Sequence, residues 1–163
     1  MKVLIVSDTH RRDETFLAVH EREKPYDVLI HAGDAEGSED YFEALADCEC
    51  HFVSGNNDFF SELPYEDLFF LGPYRVFLTH GHHYHVSSSE SVLAEEARQR
   101  DADICIYGHT HRPAAHYEGS LLILNPGSLG YPRQEGHLPS YLVLYIEKDG
   151  TLRTDLRFLG GAD

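Results

Sequence analysis

The sequence has no tryptophan, one methionine and three cysteines among its 163 residues. Three thiols (Cys48, Cys50 and Cys105) do not make a disulfide framework, and Cys48 and Cys50 stand too close to pair comfortably. That is the cysteine usage of a reducing compartment. No apolar run approaches the roughly 18 residues that a membrane span needs. The opening Met1-Lys2-Val3-Leu4-Ile5-Val6 reaches Asp8 too soon for the hydrophobic region of a leader peptide, and no small-residue cleavage site follows. These absences predict a cytoplasmic protein without membrane contact. Positive charge is scarce as well. Thirteen Lys and Arg against 28 Asp and Glu leave a net charge of −15, which argues against a long nucleic acid as partner. An anionic substrate could bind only where a local cation reverses the field. Linkers, repeats and low-complexity tracts are also missing, so residues 1–163 are expected to form one domain.

What is abundant is histidine: 12 in all, seven of them between His80 and His116. Histidine is the commonest metal ligand, so the arrangement around these residues matters. A recurrent pattern surrounds them, in which a short β-branched run ends abruptly in polar residues. Val3–Ser7 leads to Asp8-Thr9-His10, Val28–Ile30 to His31 and then Gly33-Asp34, and Phe52-Val53 to Ser54-Gly55-Asn56-Asn57-Asp58. Arg75–Thr79 ends at His80-Gly81-His82, Ile104–Tyr107 at Gly108-His109-Thr110-His111, and Leu121–Leu124 at Asn125-Pro126-Gly127-Ser128. Such runs suit strands buried on both faces.

Between the runs the spacing predicts helices over Glu14–Lys24, Ser38–Ala46 and Glu90–Arg100, the last opened by a capping box of Ser87 and Glu90. Tyr141–Ile146 and Thr151–Phe158 read as a hairpin about Asp149-Gly150. The pattern predicts βαβ units first and antiparallel strands after the third helix, in two sheets packed together with helices outside. Ligands in open α/β sheets bind beyond the carboxyl ends of the strands, so the polar residues at these ends should meet on one rim.

Asp8, His10, Asp34, Asn56, His80, His109 and His111 form a nitrogen and oxygen donor set without thiolate. Such a set suits Mn, Fe, Zn, Ni or Co and argues against calcium. Seven donors exceed the needs of one catalytic metal and fit two, about 3.5–4 Å apart, sharing a carboxylate.

These motifs, in this order, resemble the five motifs of the calcineurin-like metallophosphoesterases, and Asn125-Pro126-Gly127-Ser128 with Pro132-Arg133 is similar to the small YfcE-like phosphodiesterase branch. The resemblance implies a four-layer α/β/β/α sandwich of two mixed β-sheets flanked by helices. It implies two divalent transition-metal ions, manganese first, with nickel, cobalt, iron or zinc as alternatives. One would be held by Asp8, His10, Asp34 and His111, the other by Asp34, Asn56, His80 and His109, with Asp34 bridging. The implied activity is hydrolysis of a small phosphodiester by in-line attack of a metal-bridging hydroxide, with Asn56, His80 and His82 as catalytic residues. Small relatives also self-associate, so a dimer or tetramer is open. The alternative is a metal-binding scaffold without turnover, like the retromer subunit of this family; every matching ligand is intact here, which favours an enzyme.

One position departs from the pattern. Larger relatives place a leaving-group acid where this chain has Asn57, which cannot deliver a proton. Either His82, His83 or His85 supplies it, or the substrate has an acidic leaving alcohol. Asp58 is expected to stabilise a turn rather than ligate. Arg11 and Arg12 could bind a substrate phosphate bidentately but are expected as surface charges leading a helix, Ser128 and Arg133 are candidates for substrate contact, and Cys105 should pack in the core. Phe59, Phe60, Phe69 and Phe70 offer apolar surface for association but are expected to pack in the core. Nucleotide-derived and lipid-derived diesters stand equally open, because no base-binding or cap insertion is visible.

Overall fold

The chain's β-branched runs become strands, and their two faces explain the layering. The computed structural model describes residues 1–160; the last three residues of the expected 1–163 domain lie outside the described residues. Ten strands and three α-helices follow in the order β1 (Lys2–Val6), α1 (Asp13–Glu23), β2 (Val28–His31), α2 (Glu39–Ala46), β3 (Glu49–Phe52), β4 (Glu66–Leu71), β5 (Tyr74–Thr79), α3 (Ser91–Gln99), β6 (Ile104–Ile106), β7 (Ala114–Glu118), β8 (Leu121–Asn125), β9 (Ser140–Ile146) and β10 (Leu152–Phe158). A single 3₁₀ turn, His82–Tyr84, lies between β5 and α3.

The strands make two five-stranded mixed sheets, ordered β10-β9-β1-β2-β3 and β4-β5-β6-β8-β7. Successive side chains on a strand point to opposite faces. Val3 and Ile5 of β1, with Val28 and Ile30 of β2, therefore face the second sheet and meet Val76, Leu78, Ile104 and Ile106 in one buried cluster. Leu4 and Val6 face the other way, onto Phe16 and Val19 of α1 and Phe42 of α2. The outer face of the second sheet, with Phe77, Cys105 and Ile123, is covered by Leu93, Ala94 and Ala97 of α3. The result is the expected α/β/β/α sandwich. Each fully buried Val, Leu or Ile contributes roughly 1.5–3 kcal/mol relative to its exposed state.

Helix ends follow local chemistry in α1 and depart from it in α3. Asp13 and Glu14 occupy the first turn of α1 and Arg22 the last, which complements the helix dipole. The expected capping box at α3 is absent. Glu90 occupies the N-cap without a side-chain cap bond, because its carboxylate instead accepts from the Tyr107 hydroxyl and pairs with His116 at 3.0 Å. The strand directions also need correction. β6 and β8 run parallel to β5 and to each other, so only β7, β9 and β10 bring antiparallel pairing after α3. β4 and β7 give no clear sequence signal. Both are edge strands, each paired on one side only, and β7 is largely exposed. Phe69 packs against the core. Phe59, Phe60 and Phe70 do not; they are exposed, against expectation.

Far from the strand exits, a carboxylate fastens the outer layer. Glu23 is buried at the end of α1, accepts from Tyr141 Oη at 2.7 Å and Arg157 Nη1 at 2.6 Å, and pairs with Lys2 Nζ at 3.2 Å. Burial would raise its pKa, but these partners outweigh that and hold it low. The contribution is therefore present above the unfolded-state value near 4.5 and is lost as pH falls through the lower folded value. Glu23→Ala should lower unfolding free energy in urea by about 2–3 kcal/mol, below the full buried-pair figure because Arg157 and Lys2 stay partly solvated. A loss under about 0.5 kcal/mol would show the cluster to be incidental.

Candidate metal centre

β1, β2 and β3 run parallel, as do β5, β6 and β8. Their carboxyl ends therefore emerge on one rim, and each chain segment turns sharply there. Asp8, His10, Asp34, His109 and His111 all have positive φ, between 47° and 66°. The left-handed region is uncommon outside glycine and concentrates at functional sites. Five of the seven expected ligands thus sit on backbone that the fold holds in an uncommon conformation.

All seven converge. Asp8 is fully buried. Its Oδ2 accepts from Ser7 Oγ at 2.6 Å and from the His109 amide at 3.1 Å, whereas its Oδ1 has no hydrogen-bond partner. Three imidazoles surround that oxygen, with Nε2 of His111 at 3.1 Å, of His10 at 3.8 Å and of His80 at 3.9 Å. Asp34 Oδ2 lies 3.4 Å from His80 Nε2 and 3.7 Å from His10 Nε2. Asn56 Oδ1 lies 3.1 Å from His80 Nε2 and 2.9 Å from His109 Nδ1.

The orientation of the rings is settled from behind. His80 Nδ1 donates to the Ala32 carbonyl at 2.7 Å, His111 Nδ1 to the Tyr131 carbonyl at 2.7 Å and His10 Nδ1 to Glu36 Oε1 at 2.6 Å. Carbonyls and carboxylates only accept, so all three rings carry hydrogen on Nδ1 and turn Nε2 inward. His10 Nε2 and His111 Nε2 stand 3.3 Å apart beside the unpartnered Asp8 oxygen. Facing lone pairs around a buried carboxylate are reconciled by a cation, so the donor set fits a metal. Two groups satisfy close ligand spacing, Asp8 with His10 and His111, and Asp8 with Asp34 and His80. The resemblance makes Asp34 the shared carboxylate. In the structure Asp8 belongs to both groups, and Asp34 also reaches towards His10.

Electrostatics follow. Burial opposes charge on Asp8 and Asp34, but the imidazoles outweigh it and hold both carboxyls low, with Asn57 adding to Asp34. Burial likewise lowers His80, yet Asp34 and Asp8 raise it to about 9. Metal uptake must therefore displace the His80 proton at neutral pH. Affinity for Mn²⁺ should rise by up to about tenfold per pH unit towards pH 9 and level off above it, with proton release in calorimetry. The metal-free fold has the opposite dependence: the His80 contribution is complete below the unfolded value of 6.5 and is lost as pH rises through about 9. Metal affinity independent of pH between 6 and 9 would contradict the assignment of His80.

The neighbouring residues have separable jobs. Asn57 donates from its amide to Asp34 Oδ1 and from Nδ2 to Oδ2, both at 2.8 Å; the odd residue of the third motif clamps a carboxylate. Asp58 accepts from the amides of Asp34, Glu36 and Gly55 at 2.6–2.8 Å, the expected turn role extended across two loops. Ser128 is buried and donates to the Asp8 carbonyl at 2.8 Å, so it braces Asp8 and is shielded from substrate. Asn125 Nδ2 ties the Gly108 carbonyl and Thr110 Oγ1, each at 3.0 Å. His82 adjoins the site, its ring 5.4 Å from that of His80. Burial and neighbouring imidazoles push it down to about 4, so it is neutral at pH 7. His83 and His85 are exposed.

A cavity of about 630 Å³ opens from these ligands and is bordered by Tyr131, Arg133 and His137. Sequence reading passed over Glu36, Tyr131 and His137. Glu36 follows Asp34 by two residues, a usable signal; the Tyr131 carbonyl and His137 have none. Arg11, Arg112 and Arg133 border the clefts around the site, and their side chains have no ion-pair partner among the described residues. Arg12 lies 4.7 Å over the Tyr131 ring. In a chain of net charge −15, these are cations that an anionic substrate could meet, beside the carboxylates of Asp34, Glu36, Glu39 and Asp58.

Residues 1–149 match the calcineurin-like phosphoesterase superfamily domain. A probable metallophosphoesterase of Mycoplasma genitalium is 31% identical over 153 residues, covering 91% of this chain and 90% of that protein. Among solved structures, a predicted phosphoesterase from Streptococcus pneumoniae TIGR4 superposes with a TM-score of 0.84 at 31% identity, covering 96% of this chain and 88% of the other. A single-mutant Vps29 from Entamoeba histolytica gives 0.78 at 26% identity over 98% and 100%. A phosphodiesterase described as archaeal gives 0.75 at 25% identity over 96% and 100%.

Proposed function

The chain belongs to the calcineurin-like phosphoesterase superfamily, a family of metal-dependent hydrolases of phosphoester bonds, and from that premise we propose that it is a phosphodiesterase working with two divalent transition-metal ions, manganese foremost. The observation that carries this is the unpartnered Asp8 oxygen ringed by three inward-turned imidazoles. The likeness to an archaeal phosphodiesterase supports the diester. Asp8, His10, Asp34 and His111 would hold one ion, and Asp34, Asn56, His80 and His109 the other, with Asp8 close enough to serve both. When bound, such ions lower the pKa of water from 15.7 to about 7 and offset the charge on the phosphoryl oxygens.

The protein's own part is positioning. Ala32, Glu36 and the Tyr131 carbonyl keep His80, His10 and His111 from rotating, and Asn57 does the same for Asp34. Asn56 lines the cavity and its Nδ2 has no hydrogen-bond partner among the described residues, so it can donate to a phosphoryl oxygen there. Arg133 lines the same cavity and supplies a cation. Neither Asn57, occupied by Asp34, nor the neutral His82 delivers a proton well. This favours a small diester with an acidic leaving alcohol over a proton from the exposed His83 or His85, and comparable turnover of alkyl and aryl diesters would overturn that preference. No helix among the described residues is long and apolar enough to cross a membrane.

The test is hydrolysis of bis(p-nitrophenyl) phosphate by metal-stripped protein with and without Mn²⁺. Turnover that depends on metal supports the diesterase. A protein that binds metal yet turns nothing over with Mn²⁺, Ni²⁺, Co²⁺ or Zn²⁺ would favour the second reading, a metal-binding scaffold, to which the likeness to Vps29 lends support.

A further inference from the structure

A diester has two arms. One cavity opens at the metal centre, and a second cleft lies beside it; Asn57, which holds the Asp34 carboxylate, lines both. The second cleft, about 390 Å³, lies between Arg11, Glu36, Glu39, Phe59 and Phe60, a volume within the range of small-molecule sites.

Three features of its wall have no role in the fold. Phe59 is 79% and Phe60 100% exposed, two large apolar side chains left almost wholly to solvent. Glu39 Oε2 is shielded from solvent yet has no hydrogen-bond partner, although Oε1 accepts from Ser61 Oγ at 3.5 Å. The Arg11 guanidinium has no partner among the described residues. A lipid chain would use the rings but leave the Glu39 acceptor buried and unmet, at a cost. An ammonium arm would satisfy Glu39, with Glu36 and Asp58 also in the wall, but it offers no flat face to the two rings or to the Arg11 guanidinium. A nucleobase answers all three: a π-face for Phe59 and Phe60, a ring N–H for Glu39 and a flat surface for the guanidinium.

We infer that this cleft is a base-binding subsite, and that the substrate is a nucleotide-derived diester whose base stacks on Phe59 and Phe60 while its phosphoryl group sits at the metal centre and its other arm carries the acidic leaving alcohol. The inference rests on the phosphodiesterase reading and names its substrate class.

Binding tests it without turnover. In calorimetry on the protein supplemented with Mn²⁺, thymidine 5′-monophosphate should bind about tenfold tighter than 2-deoxyribose 5-phosphate. The Phe59→Ala/Phe60→Ala double variant should erase that advantage, whereas Phe60→Tyr should keep it. Equal affinities in the unaltered protein would overturn the inference. So would an advantage that survives the double variant and disappears in Tyr131→Ala, which would put the base in the opposite cavity. Base binding as expected, in a protein that leaves bis(p-nitrophenyl) phosphate intact, would sink the phosphodiesterase reading and keep the base subsite.

Discussion

Asp34→Asn should reduce metal-dependent turnover of bis(p-nitrophenyl) phosphate by more than about 10³-fold, beyond the loss that follows removal of one preorganised donor. The substitution keeps shape and removes charge. Asp34 is buried, 3.4 Å from His80 Nε2 and 3.7 Å from His10 Nε2, and its charged form is favoured strongly enough to hold its pKa far below the ordinary carboxylate range. An amide there offers one weak acceptor where two cations would need a shared anion. It also sets its own NH₂ against that of Asn57, which now donates to Asp34 Oδ2. The fold should survive, because the bonds that the Asp34 and Glu36 amides donate to the Asp58 carboxylate are untouched. A circular dichroism spectrum like that of the unaltered protein, with turnover gone, is the expected pair of results. Retained turnover would identify a contaminating phosphatase or a centre that does not use Asp34.

Gly55→Ala should cost about 10²-fold in kcat/KM, the scale of an ångström-sized misplacement of a catalytic group. The reason lies in contact distance. A Cβ on Gly55 would stand 2.1 Å from Asp34 Oδ1 and 2.7 Å from its Cγ. The carboxylate cannot step aside freely, since Asn57 holds both of its oxygens. Gly55 cannot retreat either, because its amide donates to Asp58 Oδ2 at 2.6 Å. Overpacking at such a point costs about 1–3 kcal/mol of stability. Metal titration should show weakened binding alongside the kinetic loss, and unchanged metal affinity would mean that the loop yields and Asp34 stays in place.

Glycine and asparagine in the Gly55-Asn56-Asn57-Asp58 motif thus do three different things, and only one of them is visible as a ligand type. The sequence places Asn56 among the donors because an oxygen ligand at a strand exit is a local property. It does not show that Asn57 clamps Asp34, since that depends on two loops 23 residues apart coming within 2.8 Å. The same division separates His111, whose motif is legible, from the Tyr131 carbonyl that orients it across 20 residues.

The strands with both faces buried were legible for a similar reason: continuous apolar runs such as Val3–Val6 have no other economical use, and both of their faces are indeed covered. Among the edge strands, β4 and β7 were not, because their half-solvated residues carry no regular apolar pattern. Phe59 and Phe60 were expected in the core because large apolar side chains usually bury; only the packing of the loop past Asp58 shows that they face a cleft instead. The capping box at Ser87 and Glu90 failed because Tyr107 and His116, distant in sequence, claim the Glu90 carboxylate.

By itself, then, the sequence determined which donor atoms lie at which strand ends, and so the family, the sandwich and the kind of metal the centre suits. Tertiary structure decided which nitrogen of each imidazole faces inward, which carboxylate lies between both donor groups, which residue holds Asp34 in place, and which clefts border the centre. Ligand identity travels with the residue, whereas orientation, charge state and cavity shape depend on partners that only folding brings within a few ångströms.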